Sequence, residues 1–127
     1  AVAPCPFCTL TRPLLAESPL VVALEDGFPA SPGHALVIPR RHVETYFDCN
    51  DEEKAALWAL LEVVRADIIA RHGPDGFNVG FNAGLASGQT VMHAHIHLIP
   101  RYVGDVPDPR GGVRHAVIGH GHYEPRR

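Results

Sequence analysis

The stretch His-Ala-His-Ile-His-Leu-Ile-Pro at residues 93–100 is the most informative part of this sequence. Histidines alternate here with apolar residues, and a period of two predicts a β-strand. On such a strand, successive imidazoles of His93, His95 and His97 would line one face, roughly 6.5–7 Å apart, while the apolar side chains enter a core. We therefore expect a strand over residues 91–99, ended by Pro100, that presents a row of histidines.

A row of histidines on one face suits two kinds of site. In one, the imidazoles hold a metal ion, since His-x-His supplies two ligands from the same face of a strand. In the other, one imidazole is a nucleophile and its neighbours supply protons or positive charge to an anionic substrate. The spacing leaves both open. The preceding turn, Gly88-Gln89-Thr90-Val91, favours an anionic phosphate ligand, because backbone N–H groups in a glycine turn bind phosphate oxygens.

The rest of the sequence predicts an α+β domain. Apolar runs at 20–25 and 35–38 predict two strands joined by a turn, and alternation over 77–82 predicts a third. Residues 51–71 predict the one long helix, which Gly73-Pro74 ends. Its apolar stripe, at i, i+3 and i+4 spacing, consists of Leu57, Leu60, Leu61, Val64 and Ile68. The order β-β-α-β-β with antiparallel hairpins predicts an antiparallel β-sheet with the helix packed on one face.

The composition indicates one globular domain. The chain has 127 residues, 46% hydrophobic and 20% charged, which suffice for one ordinary core. No apolar run reaches the roughly 18 residues of a membrane span. A net charge of -3 excludes a broadly basic nucleic-acid surface. We expect a single domain over 1–127 with an irregular tail from about residue 104, in a cytoplasmic protein that binds neither nucleic acid nor membranes.

Three cysteines are too few for a disulfide framework. Two of them form Cys5-Pro6-Phe7-Cys8, and a redox pair of this spacing would need a preceding strand and a following helix. We expect no strand before residue 5, and the prolines oppose a helix. The pair is better interpreted as half of a zinc site whose other ligands are histidines. We expect Cys49 to be a packing residue.

Two separated segments resemble the histidine triad (HIT) family of nucleotide hydrolases and transferases. One contains Asn82, the turn at 88–91, the histidines at 93–97 and Pro100-Arg101. The other contains Asp26, the run PGHALVIP at 32–39 and Arg41-His42. The resemblance covers roughly residues 5–101. It implies an α+β fold, usually a homodimer, that cleaves at the α-phosphate of a purine nucleotide derivative.

The resemblance also implies a role for each matched residue. His95 would attack the α-phosphorus and form a nucleotidyl-histidine intermediate that water hydrolyses. His97 would support that transfer, His93 would complete the triad, and His34 would support the central imidazole from behind. Phosphate contacts would come from Asn82, Gln89 and Thr90. Asp26 would accept hydrogen bonds from the ribose hydroxyls, and side chains near Val22, Leu24 and Phe28 would bracket the base.

Some members of this superfamily, among them the hexose-1-phosphate uridylyltransferases, hold zinc with a Cys-x-x-Cys pair and two histidines. The resemblance to such bacterial-type, zinc-containing members implies a structural zinc. Its closed Cys2His2 shell would consist of Cys5, Cys8, His42 and His93.

The leading hypothesis is a nucleoside phosphoramidase or dinucleoside polyphosphate hydrolase, with aminoacyl adenylates as further candidate substrates. The first alternative is a metal-dependent hydrolase in which His93, His95 and His97 share one catalytic zinc. It predicts loss of activity on chelation, with Cys5 and Cys8 unimportant. The second alternative is a non-catalytic nucleotide-binding module, which predicts affinity without turnover.

Overall fold

A computed structural model describes residues 5–123, and these form an antiparallel sheet with one long helix on one of its faces. The elements are β1 Ala16–Glu17, β2 Val21–Glu25, β3 Ala35–Pro39, α1 Asp51–His72, β4 Gly76–Gly80 and β5 Ile96–Arg101. The strand order is β1-β2-β3-β5-β4, and every neighbouring pair is antiparallel. The α+β prediction is confirmed.

Helix α1 begins and ends as its sequence predicts. Asn50 accepts a hydrogen bond from the Glu53 N–H at 2.8 Å, and the Glu53 carboxylate accepts one from the Asn50 N–H at 2.9 Å. This reciprocal capping box satisfies two backbone donors at the helix start. Gly73 ends the helix in the left-handed conformation, at φ 59°. All five residues of the predicted apolar stripe are buried against the sheet.

Buried Glu53 ties the start of α1 to the segment that follows β3. Arg41 donates from Nη2 and Nε to the two carboxylate oxygens at 2.7 and 3.1 Å, while the Glu53 side chain is 3% exposed. These hydrogen bonds lower the pKa of the Glu53 carboxyl. The pair therefore fixes the segment that carries His42, the residue after Arg41.

We expect Arg41→Ala to lower the free energy of unfolding by about 1–3 kcal/mol, because it leaves a buried carboxylate without its main partner. Urea unfolding at pH 7 measures the change. Arg40→Ala is the matched control: Arg40 pairs with Glu17 on the surface, and exposed pairs contribute about 0–1 kcal/mol. Equal effects of the two substitutions would contradict this account of Glu53.

The strand that carries the histidines is shorter than predicted. It begins at Ile96 instead of Val91 and includes Pro100, which lies opposite Phe77. Before the strand, the Ala94 N–H bonds to the Val43 carbonyl at 2.8 Å, outside the β3–β5 ladder. The chain leaves the extended path where the fully buried His93 side chain turns toward the end of β3. The predicted spacing of roughly 6.5–7 Å is wrong as well, since the rings of His95 and His97 have centroids 5.1 Å apart.

The face of the sheet opposite α1 is covered by irregular chain. The N-terminal arm, residues 5–14, packs Phe7, Leu10 and Leu14 against it. The apolar sheet residues under the arm are Val22, Leu24, Leu36 and Ile38. The tail beyond residue 104 contains only a short 3-10 turn, Gly112–Ala116, in its described part, and Gly112 lies beside Asn78 of β4.

The arm changes the prediction for the base pocket. Val22 and Leu24 are at most 1% exposed, since the arm covers them, and Phe28 is 94% exposed. The first two side chains therefore pack in a small core instead of lining an open pocket. No helix within residues 5–123 has the length and apolar character to cross a bilayer.

Candidate functional site

Four metal-binding side chains converge where the arm meets the end of β3. They are Cys5, Cys8, His42 and His93. The Nδ1 atoms of the two histidines are 3.2 Å apart, and the Cys8 Sγ lies 3.2 and 3.6 Å from them. The Cys5 Sγ is 3.4 Å from the His93 Nδ1. Tetrahedral zinc, with its usual bond lengths, separates two nitrogens by about 3.3 Å and a sulfur from a nitrogen by about 3.6 Å. The donor set fits Zn²⁺.

The orientation of His93 also fits a metal ligand. Its Nε2–H donates to the Pro39 carbonyl at 2.8 Å, which leaves the lone pair on Nδ1 facing the cysteines. Such an outer hydrogen bond fixes the tautomer of a ligating histidine. Burial lowers the pKa of His93, which favours the neutral, metal-binding form.

His95 is held in one tautomer by its own backbone. Its Nδ1 lies 2.8 Å from the His93 carbonyl oxygen, which can only accept. Nδ1 therefore carries the proton, and Nε2 carries a lone pair that has no hydrogen-bond partner among residues 5–123. A neutral imidazole with an available nitrogen is a competent nucleophile near pH 7. The same residue, His93, thus contributes its side chain to the Cys/His cluster and its carbonyl to the hydrogen bond of His95.

A hydrogen bond from His34 determines the tautomer of His97. The Ala30 N–H donates to the His34 Nδ1 at 2.9 Å, so the proton of His34 is on Nε2. That Nε2–H faces the His97 Nδ1 at 3.0 Å, which leaves the His97 proton on Nε2. The predicted position of His34 behind the central His95 differs from the structure, in which the imidazole bonded to His34, among the described residues, is that of His97. The two triad members thus differ: His95 offers a lone pair and His97 offers a donor.

Asp26 lies beside the His34–His97 pair. Its Oδ2 is 3.4 Å from the His34 Nε2 and 3.8 Å from the His97 Nδ1, and its Oδ1 accepts from the Phe28 N–H at 2.8 Å. Burial lowers the pKa of His97 to about 4, helped by the neighbouring His95 and His34 and opposed by Asp26. Burial also lowers the pKa of His34. Both imidazoles are neutral at pH 7.

The low pKa of His97 predicts a pH-dependent stability. Unfolded, this histidine takes up a proton near pH 6.5, whereas folded it stays neutral down to about pH 4. The unfolded state therefore binds more protons in that window, and the free energy of unfolding falls as the pH falls through it. We expect His97→Asn to reduce the loss between pH 7 and pH 5 by up to about 2 kcal/mol, measured by urea unfolding.

The exposed His120 supplies the control for this experiment. His120→Asn should retain the pH dependence of the wild type, and any metal loss at low pH is common to all three proteins. Identical slopes for wild type and His97→Asn would contradict a neutral, buried His97.

The phosphate-binding candidates occupy different environments. Asn82 lines a cleft of about 510 Å³ together with His34 and His97, and Val113 and Ala116 of the tail form part of its wall. Thr90 is exposed in the loop before the triad.

Gln89 is 2% exposed, and both N–H groups of its side-chain amide donate to backbone carbonyls. Its Nε2 donates to the Glu44 and Val91 carbonyls at 2.6 and 3.0 Å, and its Oε1 accepts from the Gly84 N–H at 2.8 Å. Gln89 thus braces the loop, and its phosphate contact stays a prediction that would require one of these bonds to break.

Two residues near the triad, Phe7 and Asn78, are not predicted from the sequence to belong to the site. Phe7, interpreted from the sequence only as part of the Cys-x-x-Cys pair, packs its ring on His95 with centroids 5.1 Å apart. Asn78, considered only as part of an alternating strand, lines the cleft and accepts a hydrogen bond from Arg101 at 2.6 Å. No local pattern distinguishes either residue, since each contact depends on the tertiary fold.

The site thus combines an antiparallel sheet with three histidines at the start of β5: His93 in the Cys/His cluster, His95 with a lone pair on Nε2, and His97 with a donor on Nε2. This arrangement is that of a histidine-triad protein. The HIT domain model matches residues 10–104. The chain belongs to the HIT family.

Two relatives and one solved structure illustrate this membership. The chain is 35% identical over 105 residues to the adenylylsulfatase HINT3 of Arabidopsis thaliana, covering 76% of this chain and 52% of that protein. It is 38% identical over 93 residues to an AP-4-A phosphorylase of Mycobacterium tuberculosis, covering 72% and 48%. It thus spans about half the length of these two relatives. A hypothetical histidine triad nucleotide-binding protein from Sulfolobus tokodaii superposes with a TM-score of 0.75 at 34% identity, covering 82% of this chain and 73% of that one.

Proposed function

We propose that this protein is a HIT-type nucleotide hydrolase or nucleotidyl transferase that cleaves at the α-phosphate of a purine nucleotide derivative. The observation that carries the proposal is the 2.8 Å contact between the His95 Nδ1 and the His93 carbonyl, which leaves the His95 Nε2 free to attack. The donor on the neighbouring His97 supports it, because a hydrogen bond to a phosphoryl oxygen stabilises charge in the transition state.

The reaction proceeds in two displacements. The His95 Nε2 attacks the α-phosphorus, the P–N bond forms, and the bond to the leaving group breaks with its electron pair on that group. The phosphorylated ring is then a cation whose Nδ1–H still bonds to the His93 carbonyl. Water next attacks the phosphorus and loses a proton to solvent, the P–N bond breaks with its electron pair returning to the His95 Nε2, and the nucleoside monophosphate leaves the neutral imidazole. The His97 Nε2–H donates to a phosphoryl oxygen in both steps.

The names of the relatives support the substrate class. The Arabidopsis protein is named an adenylylsulfatase, and the mycobacterial protein is named an AP-4-A phosphorylase. For this chain we propose an adenylyl donor: an adenosine phosphoramidate, an acyl adenylate or a dinucleoside polyphosphate. Asp26 would accept from the ribose hydroxyls, and Asn82, Thr90 and Gln89 would bind the phosphate.

We propose further that the Cys5–Cys8–His42–His93 cluster holds a structural zinc. Four protein donors fill a tetrahedral shell and leave no open position for water. When bound, the ion ties the arm to the sheet. The alternative of one catalytic zinc shared by the triad is opposed by the donor directions. The His93 Nδ1 faces the cysteines, whereas the His97 Nδ1 faces His34.

A homodimer is the assembly we propose. Trp58 and Ile69 on α1 and Val79 on β4 are each between 37% and 41% exposed. Strand β4 forms one edge of the sheet within the described residues, and Arg65 of α1 lies over the ring of Phe77 in that strand. An exposed apolar surface beside an edge strand is typical of an interface between copies. Sedimentation equilibrium gives the mass.

The substrate proposal is tested by incubating the protein with adenosine 5′-phosphoramidate and with diadenosine tetraphosphate, with and without a chelator, and following AMP release. We expect turnover that survives a short exposure to chelator, since the metal is outside the chemistry. Immediate loss of turnover with the chelator would favour the metal-dependent hydrolase. Nucleotide binding without turnover of either compound would favour the non-catalytic module.

A further inference from the structure

Phe7 joins the metal cluster to the nucleophile. It lies in the chain between Cys5 and Cys8, and its side chain is 9% exposed. Its ring meets His95 with centroids 5.1 Å apart at 67°, and His93 with centroids 5.9 Å apart at 88°. Both are edge-to-face contacts, which aromatic rings prefer over a face-to-face sandwich.

The hydrogen bonding of His95 leaves its ring incompletely fixed. Among residues 5–123, the one described hydrogen bond of its side chain is from Nδ1 to the His93 carbonyl. A single bond of this kind selects the tautomer, but the plane of the ring can still tilt about it, because the terminal torsion of histidine is broad. The tilt must therefore be limited by packing.

The packing comes from rings on two sides. Phe7 contacts His95 from the arm, and His97 contacts it from the sheet with centroids 5.1 Å apart at 71°. His97 is itself held by His34 and the sheet. Phe7 is on an irregular segment, so its position depends on the apolar residues beneath it and on the two flanking cysteines. Of the two ring contacts of His95, the contact with Phe7 is therefore the one that depends on the Cys/His cluster.

We propose that Phe7 is a positioning residue for His95: its ring holds the imidazole with Nε2 directed at the phosphorus, and the flanking Cys5 and Cys8 hold Phe7 in place. The reaction it serves rests on the proposed function, whereas the restraint of the His95 ring does not. A nucleophile misplaced by about 1 Å costs on the order of 10²-fold in rate, and the substrate is bound as before.

The test uses Phe7→Leu, which keeps the apolar contact and removes the ring edge. Leu10→Ala is the matched control, because Leu10 packs in the same apolar cluster and has no described contact with an imidazole. Phe7→Tyr retains the ring and should rescue. Three quantities are measured on the metal-loaded full chain: the zinc content, kcat and KM separately, and the side-chain 15N–1H resonances of His95.

For Phe7→Leu we expect kcat to fall by about 10- to 100-fold with KM within about threefold. We also expect unchanged zinc content, and shifted, broadened His95 resonances as the ring gains freedom. Leu10→Ala and Phe7→Tyr should keep kcat within about threefold. A rise in KM with kcat unchanged would overturn the proposal and make Phe7 a substrate contact. Unchanged His95 resonances in Phe7→Leu would overturn the positioning role of Phe7 whatever the activity. This readout also applies if the wild type turns over neither substrate, in which case the proposed function fails separately.

Discussion

Replacing His95 by alanine should lower the rate of AMP release by about 10⁴-fold or more, because the variant has no atom that can form the P–N bond. His95 is half-buried and outside the two apolar cores, so the fold should persist. The rate is measured in single-turnover reactions with adenosine phosphoramidate, at enzyme concentrations high enough to detect the residual activity.

Two variants supply the controls for His95→Ala. His120→Ala removes an exposed histidine and should leave the rate unchanged. His97→Asn removes the proposed donor and should cost about 10²–10³-fold, the usual effect of losing one transition-state hydrogen bond. A His95→Ala variant that is folded, binds nucleotide and retains more than about a hundredth of the wild-type rate would mean that another group attacks the phosphorus.

Replacing Cys8 by serine should release the metal and lower the free energy of unfolding by about 4 kcal/mol or more. For a domain of this size, that corresponds to a fall in Tm of at least roughly 10 °C. The prediction is sharp because Cys8 is exposed, so the substitution loses little packing. A large loss of stability on replacing this exposed residue would therefore come from the lost bond between the Cys8 sulfur and the metal. Atomic absorption gives the metal content, and thermal unfolding gives Tm.

The third cysteine supplies the control for Cys8→Ser. Cys49 is buried and is not one of the four residues of the cluster, so Cys49→Ala loses packing but no ligand, and should cost about 1 kcal/mol with metal retained. If Cys8→Ser changes Tm less than Cys49→Ala does, or if the wild type binds no zinc, the cluster is not a structural zinc site.

The regular elements could be predicted from sequence because their signals are local. The i, i+3, i+4 stripe of α1 and the glycine that ends it, Gly73, each act over a few positions, and both agree with the structure. Strand β5 shows the limit of such reasoning. The alternation from His93 onward has the period of a strand, but the His93 side chain is buried toward Pro39 and the cysteines. That contact joins residues far apart in sequence, and it moves the strand start to Ile96.

In the candidate site, too, the sequence predicts which residues take part but not the contacts that depend on the tertiary fold. The convergence of Cys5, Cys8, His42 and His93 was implied by the family resemblance, and the structure brings all four together. What no pattern could predict is how the side chains are used.

The partner of His34, the buried amide of Gln89 and the ring of Phe7 beside His95 all depend on backbone atoms or segments that approach only in the fold. The Ala30 N–H fixes the tautomer of His34 and, through it, the tautomer of His97. The spacing of side chains in the sequence contains no information about a backbone N–H of this kind.

The nucleotidyl-histidine intermediate can be trapped by rapid acid-free quenching and identified by intact-mass and peptide mass spectrometry. The enzyme is mixed with excess adenosine phosphoramidate and quenched within milliseconds at alkaline pH, where a phosphorylated imidazole survives. We expect one adenylyl group on the peptide that contains His95 and none in His95→Ala. Turnover without any adenylylated peptide at early times, or an adenylyl group on another residue, would contradict it.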